Sequence, residues 1–327
     1  MIITKTPFRM SFFGGGTDME SYFRENGGAV LSATFDKYCY VQVRPLPPFF
    51  EYKSEIIYSR TERVNDRSEI RHPLIRHAME MLDLNSLRIT YDADLPARSG
   101  LGTSSSFAVG MLNAFYALKG QYASKHKLAD DAIYLERVLC NEAGGWQDQI
   151  AASFGGLNRI DFSTSGYEVH PVIITPERRQ RLNNNLMMFF TGFTRLSCEV
   201  QELNAASAPT SKTATLGKMH QLVDEGERIL TDHTRDLDDF GRLLDVTWRL
   251  KKSTGSRIST STIDEMYARG ISAGALGGKL LGAGNGGFLV FYVQEDKQDA
   301  VRQAMHDLLE IPFKFEDNGT QVLYYRP

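Results

Sequence analysis

Apolar residues along this 327-residue chain follow two different periods, and the switches between them predict alternating strands and helices. Met1 to Ser11, residues 38–44 and residues 87–91 alternate at every second position, as half-buried strands do. Phe107, Met111, Leu112, Phe115 and Leu118 share one helical face over about 104–119, and Gly120 ends it. Leu128, Ala132, Leu135 and Leu139 mark a second helix, broken by Gly144-Gly145, and Gly155-Gly156 leads into a strand at 157–162. The stretch 175–184, with Pro176 and a run of arginines and asparagines, reads as a crossing between two domains, 1–180 and 181–327.

Beyond it, Leu186 to Phe190 is an apolar strand. Ala205–Thr215, rich in Ala, Ser and Thr, reads as a mobile loop. Leu216, Met219, Leu222, Val223, Ile229 and Leu230 form one helical stripe, and Phe240, Leu243, Leu244, Thr247, Trp248 and Lys251 form the next. A glycine cluster at 277–287 runs into a strand, Phe288 to Val293, and is read here as following a helix. A last helix (Ala300, Val301, Ala304, Met305, Leu308) and a strand, Gln321 to Tyr325, complete the pattern. The irregular interleaving predicts an α+β fold with helices on one face of a sheet.

Composition narrows the function classes. With 42% hydrophobic and 24% charged residues the chain can bury sizeable cores. A net charge of −3 argues against a nucleic-acid partner held by bulk electrostatics. No apolar run is long enough to predict a membrane-spanning helix, and no signal-peptide pattern opens the sequence. Cys39, Cys140 and Cys198 are an odd, widely spaced set, expected as reduced thiols of a cytoplasmic protein. The histidines show no ligand spacing, so zinc chemistry is not expected.

Three glycine-rich loops carry the candidate chemistry. In Ser99-Gly100-Leu101-Gly102-Thr103-Ser104-Ser105, glycines precede a helix whose first N–H groups lack intrahelical partners, an arrangement suited to phosphate. Taken alone it also reads as an ordinary capped turn. Gly14-Gly15-Gly16-Thr17-Asp18 follows a strand; such a glycine run suits close backbone approach to a ligand, with Asp18 able to accept from hydroxyls and Arg9 able to face an anion. Gly282-Ala283-Gly284-Asn285-Gly286-Gly287 matches a dinucleotide fingerprint as text but opens a strand rather than a helix. Asp239-Phe240-Gly241 spells a protein-kinase motif without its catalytic loop, and no P-loop element occurs. Asp148, after the Gly144-Gly145 pair, is a candidate general base, and Glu136 a candidate Mg²⁺ ligand or a surface carboxylate.

Together these motifs resemble the GHMP kinases. Pro7-Phe8-Arg9 through Thr17-Asp18 is similar to the family's P-x-R-x(4)-G-x-x-T-D, and Pro96 through Ser104 to its P-x(3)-G-L-G-S-S loop with Thr103 in place of the first serine. The 282–287 loop is similar to its C-terminal glycine motif. The resemblance implies a two-domain α+β architecture, with an N-terminal α+β domain, a ferredoxin-like C-terminal domain and the site between them. It also implies ATP and Mg²⁺, Asp148 accepting the hydroxyl proton, Arg9 near the reacting groups, and Ser99, Gly100, Leu101, Gly102, Thr103, Ser104 and Ser105 on the nucleotide. Ser105 and Glu136 would be the metal ligands, and Gly15, Gly16, Thr17, Asp18, Gly284, Asn285 and Gly286 would border the acceptor. Within the family the pattern over Thr6–Asp18, Gly27–Tyr40 and Pro96–Gly102 is most like kinases of heptose 7-phosphates, which phosphorylate the anomeric hydroxyl. Another sugar kinase, such as a fucokinase, and a catalytically silent sugar or nucleotide sensor are the alternatives. Lys37, Arg44 and Arg98 are candidates for a phosphate on the acceptor, and homo-oligomerisation stays open.

Overall fold

A long hairpin organises the first half of the chain. In the computed structural model, which describes residues 1–97, 99–192, 209–255, 258–282, 284 and 286–326, β1 (Ile2–Phe13) is joined by α1 (Glu20–Asn26) to β2 (Gly28–Pro45). The two strands run antiparallel from Ile2 opposite Val43 to Phe13 opposite Leu31, with register shifts at Pro7/Phe8 and Ser11/Phe13 that bend the pair. β1 alternates buried and half-buried residues only at its start; from Thr6 onward every residue is buried, so that end is covered on both faces. β3 (Ser54–Ile57) and β4 (Thr61–Val64) form a small hairpin, and α2 (Pro73–Met81) leads to β5 (Leu87–Ala93), which pairs with β2 and, in parallel, with β3.

The predicted helix near 104–119 is α3 (Thr103–Leu118), apolar nearly all round and accordingly buried against β1 and β2. Gly110 lets it approach the sheet: a Cβ there would lie 2.6 Å from the Thr6 hydroxyl. The next predicted helix divides. α4 (Lys125–Ile133) gives way to a π turn over Tyr134–Leu139, where the Cys140 N–H reaches the Leu135 carbonyl at 2.9 Å. α5 (Gln147–Phe154) follows, and then β6 (Leu157–Ser163), which pairs with the Gly28–Ala33 part of β2, and β7 (Gly166–Pro171).

The crossing stretch is itself a helix, α6 (Pro176–Asn184), capped by the Thr175 hydroxyl. Its arginines have local work: Arg178 donates to the Leu230 and Arg235 carbonyls at 2.8 and 3.0 Å. β8 (Leu186–Phe190) then opens a second sheet. α7 (Pro209–Thr231), α8 (Asp238–Ser253) and α9 (Ser261–Ser272) separate it from β9 (Gly277–Leu280) and β10 (Phe288–Tyr292); α10 (Gln298–Ala304) precedes β11 (Leu309–Glu310). The order β11-β8-β10-β9, all antiparallel, is the ferredoxin-like arrangement. β12 (Gln321–Tyr325) returns to pair with β1 in the first sheet.

Three expectations need correction. Residues 209–215 are helical, not loop, because they form the start of α7; residues 205–208 lie outside the described residues. The glycine cluster follows a strand, not a helix. Gly277 and Gly278 hide β9 from any side-chain pattern, since a Cβ on either would lie within 2.4 Å of a carbonyl oxygen, of Gly241 and of Val290 respectively. The last helix stops at Ala304 rather than continuing to Leu308.

One apolar cluster runs through both sheets, joining Phe8, Met10, Phe12 and Phe13 of β1 to Phe240 and Leu244 of α8 and Phe288 and Tyr292 of β10. Phe240 meets Phe12 and Phe13 edge-on, with ring centroids 5.2 and 5.0 Å away. Phe240→Ala is expected to cost about 3–5 kcal/mol in urea unfolding. A loss comparable to a surface substitution would mean that the two sheets are joined elsewhere.

Candidate active site

The strand that carries Arg9 is buried on both faces, so its guanidinium has to find partners inside the protein. Nε and Nη2 donate to the two oxygens of Asp148 at 2.7 and 2.8 Å, a bidentate pair, and Nη1 donates to the Gly100 carbonyl at 2.8 Å. The Arg9 side chain is 5% exposed and that of Asp148 24%. Asp148 lies in the first turn of α5, where the helix N-terminus favours a negative charge. Gly102 completes the contact: a Cβ there would sit 3.3 Å from both Arg9 Cγ and Asp148 Oδ2. One predicted loop, the predicted base and Arg9 are therefore brought together.

The phosphate-type loop also lies against the third glycine loop. A Cβ on Gly282 would come 2.3 Å from Gly100 Cα, and one on Gly287 would come 2.1 Å from the Ser99 carbonyl oxygen. These positions, both at positive φ, admit only glycine. Gly284 is half-exposed beside the Ile258 carbonyl, Gly286 is buried, and Asn285 lies outside the described residues. Within the 99–105 loop Ser104 is exposed, whereas Thr103 and Ser105 are buried in the first turn of α3. Leu101 turns its side chain into the core, so only its backbone can border a ligand; its carbonyl accepts from the Arg9 N–H at 3.1 Å. Ser99 is buried, and its hydroxyl has no partner among the described residues.

Asp18 fastens a second junction. Its carboxylate accepts from the Gly16 N–H at 2.9 Å and the Gln147 N–H at 3.3 Å, and its carbonyl accepts from Trp146. Burial pushes the Asp18 carboxyl up from its ordinary range and the charge of Asp148 adds to this, while the backbone N–H bonds pull it down. Thr17 does not face the cleft: it is fully buried and its hydroxyl bridges the Gly14 and Ala29 carbonyls at 2.8 Å. Gly14 likewise approaches chain, not ligand, with a Cβ landing 1.9 Å from the Ala29 carbonyl oxygen; Gly15 and Gly16 remain half-exposed.

Ser105 and Glu136 meet. The Ser105 hydroxyl donates to Glu136 Oε2 at 2.8 Å, Gln149 donates to the same oxygen, and Arg137 stands 3.8 Å away. Glu136 is 1% exposed rather than on the surface, because the π turn rotates the end of the predicted helix inward. Burial raises its carboxyl above the ordinary range against the pull of Arg137, and Glu142 raises it further. A single buried carboxylate with a hydroxyl beside it fits Mg²⁺, which takes one or two carboxylates and completes its shell with phosphates and water.

Several participants gave no readable signal. Gly145 packs on Asp18, its Cβ position 1.8 Å from Oδ2, and Arg137 holds that loop by donating to the Glu142, Ala143 and Gly145 carbonyls. Lys251, placed on an apolar helical stripe, donates instead to the Gly282 carbonyl. Of the cations considered for an acceptor phosphate, Arg44 lies at the Ile2 end of the hairpin, roughly 20 Å from Arg9 at the rise of an extended strand, too far to serve the same sugar. Lys37 pairs with Asp36 at 3.0 Å, and Arg98 is outside the described residues. A hollow of about 520 Å³ lined by Arg179, Leu186, Arg302 and Phe313 shares no residue with this cluster, and its arginines are paired with Asp317 and Glu310.

Comparison with known proteins agrees with this geometry. Residues 71–156 match the GHMP kinases N terminal domain and residues 228–311 the GHMP kinases C terminal domain. The chain belongs to the GHMP kinase family. It is 29% identical over 315 residues to the D-glycero-alpha-D-manno-heptose 7-phosphate kinase of Campylobacter jejuni, covering 91% of each chain. It is 24% identical to the bifunctional fucokinase/GDP-fucose pyrophosphorylase of Arabidopsis thaliana, with 94% of this chain aligned to 31% of that one. The crystal structure of a D-glycero-D-manno-heptose 1-phosphate kinase from Bacteroides thetaiotaomicron shares the fold over the whole of both chains, with a TM-score of 0.81 at 24% identity. This GHMP kinase is a phosphotransferase with an alcohol acceptor, and GHMP kinases use ATP as donor. The silent-sensor alternative falls with that assignment. Among the described residues no helix is long and apolar enough to cross a membrane.

Gly145→Ala must displace Asp18, since the added methyl overlaps its carboxylate. The expected result is a rise of at least about tenfold in the acceptor KM with a lowered Tm, because interactions that position substrate are sensitive to shifts of an ångström and the overlap costs about 1–3 kcal/mol. Unchanged kinetics would show that the Asp18 junction does not shape the acceptor site.

Proposed function

We propose that this GHMP kinase transfers the γ-phosphoryl group of ATP to the anomeric hydroxyl of D-glycero-D-manno-heptose 7-phosphate, giving the 1,7-bisphosphate. The observation that carries the reading is the Arg9–Asp148 pair lying against Gly102 of the phosphate-type loop. That contact supports a reading in which the Asp148 carboxylate would face both an acceptor hydroxyl and a terminal phosphoryl group held by the loop. Similarity to the Campylobacter jejuni kinase over 91% of both chains supports the choice of sugar phosphate.

In this reading Asp148 accepts the hydroxyl proton as the sugar oxygen bonds to phosphorus, and the bond to the bridging oxygen of ADP breaks. Arg9 holds Asp148 in place through two N–H donors, so the carboxylate cannot swing away. The backbone of Gly100–Ser105 and the start of α3 cradle the nucleotide phosphates. Asp18 has no ion-pair partner among the described residues, and sugar hydroxyls would supply the donors its burial calls for. Gly15, Gly16, Gly284, Asn285 and Gly286 would border that acceptor. Ser105 and Glu136 would hold Mg²⁺, which neutralises charge on the β- and γ-phosphates when bound.

A panel of D-glycero-D-manno-heptose 7-phosphate, the unphosphorylated heptose and fucose, read by product mass, tests the substrate. The 7-phosphate should be turned over with the highest kcat/KM. A preference for fucose would move the assignment to the fucokinase reading suggested by the Arabidopsis relative. Asp148→Asn should lower kcat by about 10²–10⁴-fold while ATP affinity stays within twofold. Full turnover in that variant would remove Asp148 from the mechanism. Glu136→Gln should raise the Mg²⁺ concentration needed for half-maximal rate by at least about tenfold, and an unchanged Mg²⁺ requirement would exclude Glu136 as a ligand.

A further inference from the structure

Lys251 stands in the last turn of α8, where the second half of the chain meets the loops just described. Its side-chain partner is the carbonyl of Gly282, the glycine pressed against Gly100 of the phosphate-type loop. Among the described residues it has no carboxylate in ion-pair range, although it is half-buried. An ammonium is an unusual group to leave there on a neutral oxygen alone, since a charged donor bonds an anionic acceptor far more strongly. Arg9, the other cation at this place, is already committed to Asp148 and to the Gly100 carbonyl.

The groups whose charge Lys251 feels are Arg9, Asp18, Asp148 and Lys279, so it faces the same centre as they do. Burial pushes its ammonium down to about 8; Arg9 pushes the same way, and Asp18 and Asp148 oppose. Lys279 is not an alternative. It is 2% exposed on β9 with its Nζ on the Phe12 carbonyl at 2.8 Å.

We propose that Lys251 is the cation that binds the terminal phosphoryl group of the nucleotide, reaching across from the second half of the chain. The inference rests on the kinase reading above, but not on the identity of the sugar. Gly282 lies against Gly100 of the phosphate-type loop, so a phosphoryl group held by that loop would come within reach of Lys251, which could exchange the Gly282 carbonyl for a phosphoryl oxygen by turning its flexible stem. The diphosphate left after transfer has no oxygen at that position. Lys251 therefore discriminates triphosphate from diphosphate, and it neutralises charge on the group being transferred.

The test uses the full chain with Mg²⁺ and no sugar. Dissociation constants are measured for the β,γ-imido analogue of ATP and for ADP, in wild type, Lys251→Met and Lys251→Arg. Lys251→Met should weaken the triphosphate analogue at least about tenfold and leave ADP within twofold, and Lys251→Arg should restore most of the loss. In wild type the analogue should bind less well as pH rises through about 8, because the ammonium is charged below that value and neutral above it. Lys251→Arg stays charged throughout and should lose that dependence. Equal weakening of both nucleotides, or no weakening, overturns the proposal and leaves Lys251 a structural cap on Gly282. Should Lys251→Met fail to fold by circular dichroism, the arginine variant decides: an alkaline loss that persists in it overturns the assignment. Because no sugar is present, a wrong acceptor assignment would leave these results intact.

Discussion

The bidentate pair between Arg9 and Asp148 is the interaction on which the site depends. It ties β1, the most enclosed strand of the first sheet, to the first turn of α5, and its remaining contact at Nη1 reaches the Gly100 carbonyl. One guanidinium thus sets the positions of the carboxylate and of the loop facing it. The pair is mostly enclosed, so removing either partner leaves a charge with little water to compensate it, a loss of about 3–5 kcal/mol in comparable cases. The same geometry has a chemical consequence. On the proposed mechanism an arginine spent on orienting a carboxylate would act as a positioning residue, and charge on the transferred group would have to be met by other cations.

The glycines show a related division of labour. From the sequence, each glycine-rich loop suggests backbone approaching a ligand, and this holds for only some positions. Gly14, Gly100, Gly282 and Gly287 are required because chain meets chain there, within distances that no side chain could share. Gly282 and Gly287 in particular bring the third loop directly against the phosphate-type loop. Contacts of this kind fix the separation of the two halves at the site, which suits a reaction dominated by alignment and by dipoles already in place. Phe240, wedged edge-on against Phe12 and Phe13, holds the same two halves together a little deeper in the core.

Much of this was legible in the sequence, and what was not has identifiable causes. The start of β1, the later part of β2 and the helices of the second half announce themselves by period, because one face of each is buried; α3 is found from its apolar run, since it is buried nearly all round. Arg9, Asp148 and the loop glycines were readable from motif and spacing. Glu136 was only half readable: its position follows from the sequence, but its burial follows from a π turn that no periodicity reveals. β9 is invisible for the opposite reason, since glycines let it slide under α8 and β10 and leave no side-chain pattern. Lys251 was hidden in plain view as a polar member of an apolar stripe. A lysine on a face predicted to be buried is a signal, and here it marks where that face meets the Gly282 loop.

Asp18 and Glu136 share a property that bears on how substrates engage. Both are buried carboxylates lifted above their ordinary range chiefly by burial; Asp18 is met by backbone N–H groups, and Glu136 by Ser105, Gln149 and the more distant Arg137. Lys251 is the complementary case, an enclosed positive charge resting on a neutral carbonyl. A fold that encloses such groups without full charge compensation is less stable than it could be, unless something that binds there completes them. Hydroxyl donors at Asp18, a divalent cation at Glu136 and a phosphoryl oxygen at Lys251 would each remove one of these deficits. Burial disfavours the charged form of each of these groups in the free protein, so a partner that completed one of them would also favour its ionisation, coupling binding to charge at this place.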